Sequence, residues 1–212
     1  MSQWMGKYSL TYIFSFFLKK RSEKKLFAHY LYRCFLKKGD FMDNFINYIN
    51  LARDTLKDHP RHFGGCQFLH CMATFSILIN YGYTDSTLLK AALVHDLIED
   101  VEGFDVNLIR NMDEEGEKVL ELVLEVTKKP GQKKDDFLIG ILKNNSYQAR
   151  LLKCADRISN MLDLGYVSNP KFIERYCEET ELFVMPMALS INAYSIYKEL
   201  LDLCISRRKF LV

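Results

Sequence analysis

The chain has 212 residues, about half of them hydrophobic (49%), and a formal charge of +2. That length holds one large domain, or one domain with an extension, and the apolar share suffices for a substantial core. A charge so near neutral argues against nucleic acid as a partner, because polyanion binders carry a concentrated basic excess.

Residues 1–40 read as an aromatic and basic extension. Tyr8 to Leu18 is mostly apolar, and Lys19, Lys20, Arg21, Lys24, Lys25, Lys37 and Lys38 follow. The apolar run is too short for a bilayer span, which needs about 20 residues. Basic residues also occupy the place of a small-residue cleavage site, so it makes a poor signal peptide. A helix packed on the domain or on a partner subunit is the first reading, which keeps a homo-oligomer open. An amphipathic helix lying on a membrane surface is the second.

From Phe41 the pattern becomes regular. Phe45, Ile46, Tyr48, Ile49, Ala52 and Leu56 recur at helical spacing, and His59-Pro60 ends that helix. Arg61 to Gly65 is a turn whose glycines can take positive φ. Gln67 to Ile79 forms the next helix, stopped by Asn80-Tyr81-Gly82. Ser86 is a candidate N-cap for a helix that runs on to Asp100. After a loop at 101–105, short helices are expected at Val106 to Arg110 and at Glu114 to Val126. Thr127 to Lys134, with four lysines, Pro130 and Gly131, is the clearest break, read as a solvated linker or a lid over an anionic substrate. Helices then follow at Asp136 to Lys143, Tyr147 to Leu164, Lys171 to Val184 and Met187 to Ser206, the last two separated at Pro186. No alternating strand pattern of useful length occurs, so the fold class is all-α. The six cysteines form no CxxC pair and sit mostly in apolar helical stretches, as reduced, buried thiols of a cytoplasmic protein would.

One stretch breaks the apolar rule. Ala91 to Val94 reads as buried helix, but His95, Asp96, Glu99 and Asp100 follow where apolar residues would continue. Burying an unpaired charge costs several kcal/mol or neutralises the group. On a continuous helix, His95 and Glu99 form one i,i+4 column and Asp96 and Asp100 another. A divalent cation is the natural compensating partner. Asp156 likewise interrupts Leu151, Leu152, Ala155 and Ile158, where a salt bridge to a neighbouring cation is an equal alternative. His70, His95, Asp96 and Asp156 together supply two imidazoles and two carboxylates from three helices. Such donors without thiolate suit Mn²⁺, Fe²⁺ or Zn²⁺ rather than a structural cysteine–zinc site.

The order His70, His95-Asp96, Asp156 resembles the H…HD…D pattern of the HD phosphohydrolase superfamily. His95-Asp-Leu-Ile-Glu-Asp100 is similar to the HDxxED signature of its RelA/SpoT-type alarmone hydrolases. Arg61-x-x-Gly64 resembles the start of that family's R-x-x-G-x-P-Y-I-x-H segment, Leu124-Glu125-Val126-Thr127-Lys128 its G-V-T-K, and Lys153 to Met161 its K-L-A-D-R-L-H-N-M. Glu179-Thr180 with Pro186 matches its E-T…P-L-A ending. The resemblance spans roughly Phe41 to Leu189. It implies an HD-domain helical bundle over residues 41–206, with a helical extension at 1–40 and a tail at 207–212.

The activity implied is Mn²⁺-dependent removal of the 3′-diphosphate from guanosine 3′,5′-bis(diphosphate) (ppGpp), or its 5′-triphosphate form, giving GDP or GTP and pyrophosphate. Zn²⁺ or Fe²⁺ are the alternative ions. His70, His95, Asp96 and Asp156 would be the metal ligands and Glu99 and Asp100 the catalytic carboxylates. Arg61 would stack on or bond the base, with Lys153 and Asn160 lining the nucleotide pocket. With almost nothing after Ser206, a stand-alone hydrolase without the family's synthetase region is expected. The sequence departs from the pattern at Cys66-Gln67-Phe68 (family P-Y-I), at Cys71 (proline), at Leu162-Asp163 (arginine, threonine) and at Val184 (tyrosine). A carboxylate at 163 is unfavourable beside a polyanion. Those departures keep open an HD hydrolase for another nucleotide, such as an adenine alarmone or a phosphorylated dinucleotide, or a non-catalytic alarmone-binding module.

Overall fold

The computed structural model describes residues 40–61 and 64–209. The expected extension lies outside them, apart from Asp40. The described elements are α1 (Asp40–Leu56), α2 (Gln67–Asn80), α3 (Ser86–Val94), α4 (Leu97–Asp100), α5 (Asn107–Arg110), α6 (Gly116–Val126), α7 (Lys134–Asn144), α8 (Tyr147–Asp163), α9 (Pro170–Glu179), α10 (Met185–Ser190) and α11 (Tyr194–Lys209). A 3₁₀ turn, Leu164–Tyr166, follows α8, and a π turn, Thr180–Val184, joins α9 to α10. No strand occurs among the described residues, so the all-α expectation holds.

Helix α8 is the axis of the unit. It packs against α2, α3, α6, α10 and α11, while α2 and α6 both flank α3. Its inward positions Ala149, Leu152, Cys154, Ala155 and Met161 are fully buried, and Ser146 caps its first turn by accepting from the Ala149 N–H. An amphipathic helix of this length is held mainly by burying its apolar face. Asp156, Arg157 and Ser159 lie on that buried side too, so the central helix carries polar groups into the core.

Two sequence expectations change. The cap of α3 is Asp85, whose carboxylate accepts from Leu88 N–H; Ser86 instead donates to Glu115. The helix from Ser86 also does not run unbroken to Asp100. It ends at Val94, His95 and Asp96 form a turn, and α4 restarts at Leu97.

Near the C-terminus, Pro186 does not separate two helices. The backbone widens into the π turn just before it, which accommodates a residue without an N–H and relieves the clash with the preceding turn. The break falls instead at Ile191–Ala193, where Asn192 takes a positive φ of 56°. Helix α11 then continues through Lys209, past Ser206. Arg207 donates from Nε to Met161 O (2.7 Å) and from Nη2 to Leu162 O (2.9 Å), satisfying carbonyls at the end of α8.

A buried ammonium ties the α3 side together. Lys90, 2% exposed, reaches Asp113 (2.7 Å) and Glu115 (2.6 Å), and Tyr48 of α1 donates to the same Asp113. The Asp113 and Glu115 segment turns tightly into α6, and Gly116 is the close point. A Cβ there would meet Arg110 O at 2.3 Å and Ile109 O at 2.5 Å. Backbone cannot yield as a flexible side chain does. Gly116→Ala should therefore destabilise the domain by about 2 kcal/mol or more, read as a lower urea midpoint at unchanged slope.

Candidate metal and nucleotide site

Helices α2 and α8 and the α3–α4 turn bring four sequence-predicted ligands together. The ligand atoms of His70, His95 and Asp156 lie within 4.8 Å of one another. His70 Nε2 is 3.1 Å from Asp156 Oδ1 and 3.4 Å from Asp96 Oδ2. His95 Nε2 is 3.1 Å from Asp96 Oδ1 and 4.0 Å from Asp156 Oδ1. The turn at His95-Asp96, rather than a continuous helical face, aims both side chains inward.

The outer nitrogens fix what the inner ones can be. His95 Nδ1 donates at 2.9 Å to the Ala92 carbonyl, an acceptor only, so that nitrogen carries a proton and Nε2 is the one turned toward the carboxylates. That buried Nε2 has no hydrogen-bond partner despite the carboxylate beside it. His70 Nδ1 sits 2.8 Å from Ser159 Oγ, an arrangement that equally lets Nε2 face inward unprotonated. Two carboxylates and two imidazole nitrogens at such distances need a positive charge between them, and the donor set fits a divalent ion.

Cys71 also approaches, donating to Asp96 Oδ2 at 3.9 Å, and with His95 and Asp96 forms a second geometric grouping. Complete burial pushes its thiol pKa well up, and Asp96 adds to this. A protonated thiol is a poor ligand, which favours the histidine–carboxylate set.

Asp156 makes the ion pair that its sequence context allowed. Besides facing the imidazoles, it pairs through Oδ2 with Lys153 Nζ at 2.7 Å. Burial works to raise its pKa, but Lys153, His70 and His95 outweigh that and hold the carboxyl well below its usual range. Lys153, expected in the nucleotide pocket, is thus engaged with a candidate ligand, with its ammonium 5.4 Å from the Phe137 ring centroid. Asn160 donates from Nδ2 to Asp156 Oδ1 (2.5 Å) and accepts on Oδ1 from Arg61 Nη2 (2.6 Å). Arg61 Nη1 donates to Asp163 Oδ2. The unexpected carboxylate at 163 is therefore matched by the arginine, not left facing a polyanion alone.

Glu99 and Asp100, on α4, stand exposed beside this cluster. Glu99 Oε2 accepts the Lys128 N–H (3.1 Å), which brings the lysine-rich 127–133 loop to the edge of the site. Desolvation, then the charges of Asp96 and Glu99, push the Asp100 pKa up to about 6. Lys134 opens α7 rather than ending the loop, and pairs with Glu179 at 2.6 Å. Glu179 also faces the buried Arg157 (3.5 Å), whose Nη1 donates to Thr180 Oγ1 (3.2 Å). The Glu179-Thr180 pair thus anchors the central helix.

Two supporting residues escaped the sequence reading. Gln67 donates from Nε2 to Asp96 Oδ2 at 2.6 Å, and Ser159 contacts His70. Both occupy positions where the chain differs from the family pattern, and those differences were the available signal.

Known proteins resemble this chain in sequence and in fold. No family model matches the chain. A guanosine-3′,5′-bis(diphosphate) 3′-pyrophosphohydrolase of Vibrio cholerae is 30% identical over 162 residues, which cover 72% of this chain and 22% of that protein. A probable enzyme of the same name from Mycoplasma pneumoniae is 29% identical over 153 residues, covering 64% and 20%. The chain therefore spans about a fifth of the length of these curated relatives. A solved structure, described as a metazoan ortholog of SpoT that hydrolyzes ppGpp and plays a role in starvation responses, superposes with a TM-score of 0.68 at 23% identity. It covers 77% of this chain and 95% of its own. The all-helical fold is similar to that of this SpoT ortholog, and the curated proteins the chain resembles in sequence are named guanosine-3′,5′-bis(diphosphate) 3′-pyrophosphohydrolases.

Partners that orient a ligand typically contribute 10–100-fold in metal affinity. Gln67→Ala and Ser159→Ala should each weaken Mn²⁺ binding by about tenfold, measured by titration calorimetry, with the thermal midpoint of the ion-free protein nearly unchanged.

Proposed function

We propose that the domain hydrolyses the 3′-diphosphate of ppGpp or its 5′-triphosphate form, releasing GDP or GTP and pyrophosphate, with a divalent ion held by His70, His95, Asp96 and Asp156. The observation that carries this reading is the buried His95 Nε2, partnerless and facing carboxylates, with two further carboxylates one turn along the chain. The relatives named for that reaction support the choice of substrate. Mn²⁺ is the proposed ion and the cytoplasm the proposed compartment; the free thiols Cys66, Cys71, Cys154, Cys177 and Cys204 suit a reducing environment. Among the described residues no helix is long and apolar enough to cross a membrane.

When bound, such an ion polarises a phosphoryl oxygen and brings the pKa of water toward neutrality. The chain's own residues do the rest. Glu99, tethered on Oε2 by the Lys128 N–H, keeps Oε1 to orient the attacking water and take its proton. Asp100, with a pKa raised to about 6, keeps a minor protonated fraction near neutral pH that can hand its proton to the departing 3′-oxygen. Lys153 keeps Asp156 ionised. Arg61 and Asn160 form the nucleoside side of the pocket, and the exposed Lys129 and Lys133 screen the phosphates.

Purified protein with Mn²⁺ should convert ppGpp to GDP and pyrophosphate; bound metal without these products would reject the reading. A panel including adenine alarmones and phosphorylated dinucleotides decides whether another nucleotide is preferred. Asp96→Ala should abolish ion binding. Glu99→Ala should leave ion binding intact and lower kcat by about 100-fold, so full activity in that variant would refute the role given to Glu99.

A further inference from the structure

We infer that Asp163 is a positioning residue that sets the nucleotide affinity of the site by holding Arg61 in place. This rests on the reading of Arg61 and Asn160 as the nucleoside side of the pocket. Three directed hydrogen bonds run in series: Arg61 Nη1 to Asp163 Oδ2, Arg61 Nη2 to Asn160 Oδ1 (2.6 Å), and Asn160 Nδ2 to Asp156 Oδ1 (2.5 Å). The series links a surface carboxylate to a candidate metal ligand. It also fixes the Asn160 amide, with its oxygen toward Arg61 and its nitrogen toward Asp156. Asn160 can then offer a nucleotide its remaining N–H and the second lone pair of Oδ1.

Both ends of the series are rigid. Asp163 closes the last turn of α8, whose carbonyls at Met161 and Leu162 are bound by Arg207. Arg61 leaves a turn closed by Arg61 N–H to Gly65 O (3.2 Å) and Gly64 N–H to Arg61 O (3.1 Å). Arginine has many side-chain rotamers, and ordering it during binding costs affinity. The Asp163 carboxylate orders it beforehand. The same pair cancels the arginine's charge, so Arg61 serves the nucleoside rather than neutralising phosphate.

The test is a mutant cycle read by equilibrium binding and by kinetics. Asp163→Ala should raise the calorimetric Kd for ppGpp, measured with Mn²⁺ on the Glu99→Ala background to prevent turnover, by about tenfold. In the otherwise wild-type enzyme KM should rise alike, with kcat within twofold. Asp163→Asn, which still accepts a hydrogen bond, should recover part of the loss. In an Arg61→Ala background Asp163→Ala should change nothing further. Tighter binding on removing the carboxylate, or an undiminished effect without Arg61, would overturn the proposal. Wild type that binds ppGpp, GDP or ADP without hydrolysing ppGpp refutes only the catalytic reading, and the binding cycle with that nucleotide still decides the role of Asp163. Wild type that binds none of them refutes both.

Discussion

The crowding of imidazoles and carboxylates at the centre of the domain is the constraint from which the rest follows. His70 Nε2 and His95 Nε2 lie side by side, and Asp96 and Asp156 point oxygens at both. Such a grouping is costly to bury without a compensating positive charge. It persists because packing fixes each member from behind: a backbone carbonyl holds His95, Ser159 meets His70, Gln67 holds Asp96, and Lys153 with Asn160 holds Asp156. A bound cation would supply that charge among side chains already held in place.

A single turn between α1 and α2 serves both halves of the site. Gly64 and Gly65, with φ of 89° and 75°, take a backbone conformation that side chains with a Cβ rarely adopt. The turn is pinned by Gln67 N–H to His59 O. Arg61 enters it and Gln67 leaves it, one reaching Asn160 and Asp163, the other Asp96. The candidate ion and nucleotide positions are thereby linked through a short stretch of chain.

Much of this was legible in the sequence, and the rest was hidden for physical reasons. Acids and histidines inside apolar helical patterns announce themselves because burial makes them expensive, and so His70, His95, Asp96 and Asp156 could be grouped before any coordinates. Helical periodicity located nearly every element but could not show that His95-Asp96 is a turn, since both residues keep right-handed helical dihedrals. Gln67, Ser159 and Asp163 were opaque for a different reason. A polar residue's partner is set by side chains distant in sequence, and Asp163 finds Arg61 across 102 positions. A charge judged by its own neighbourhood looked adverse; judged with that partner it is balanced.

The π turn at Thr180–Val184 has a consequence for helical phase. Its widened winding holds one residue more than an ordinary turn, and each residue advances a helix by about 100°. Everything beyond it is rotated by that amount relative to α9. Met187 and Ala188, both fully buried, lie just beyond it. The segment thus acts as a phase adjuster between the polar anchor at Glu179-Thr180 and an apolar stretch that packs on the same central helix.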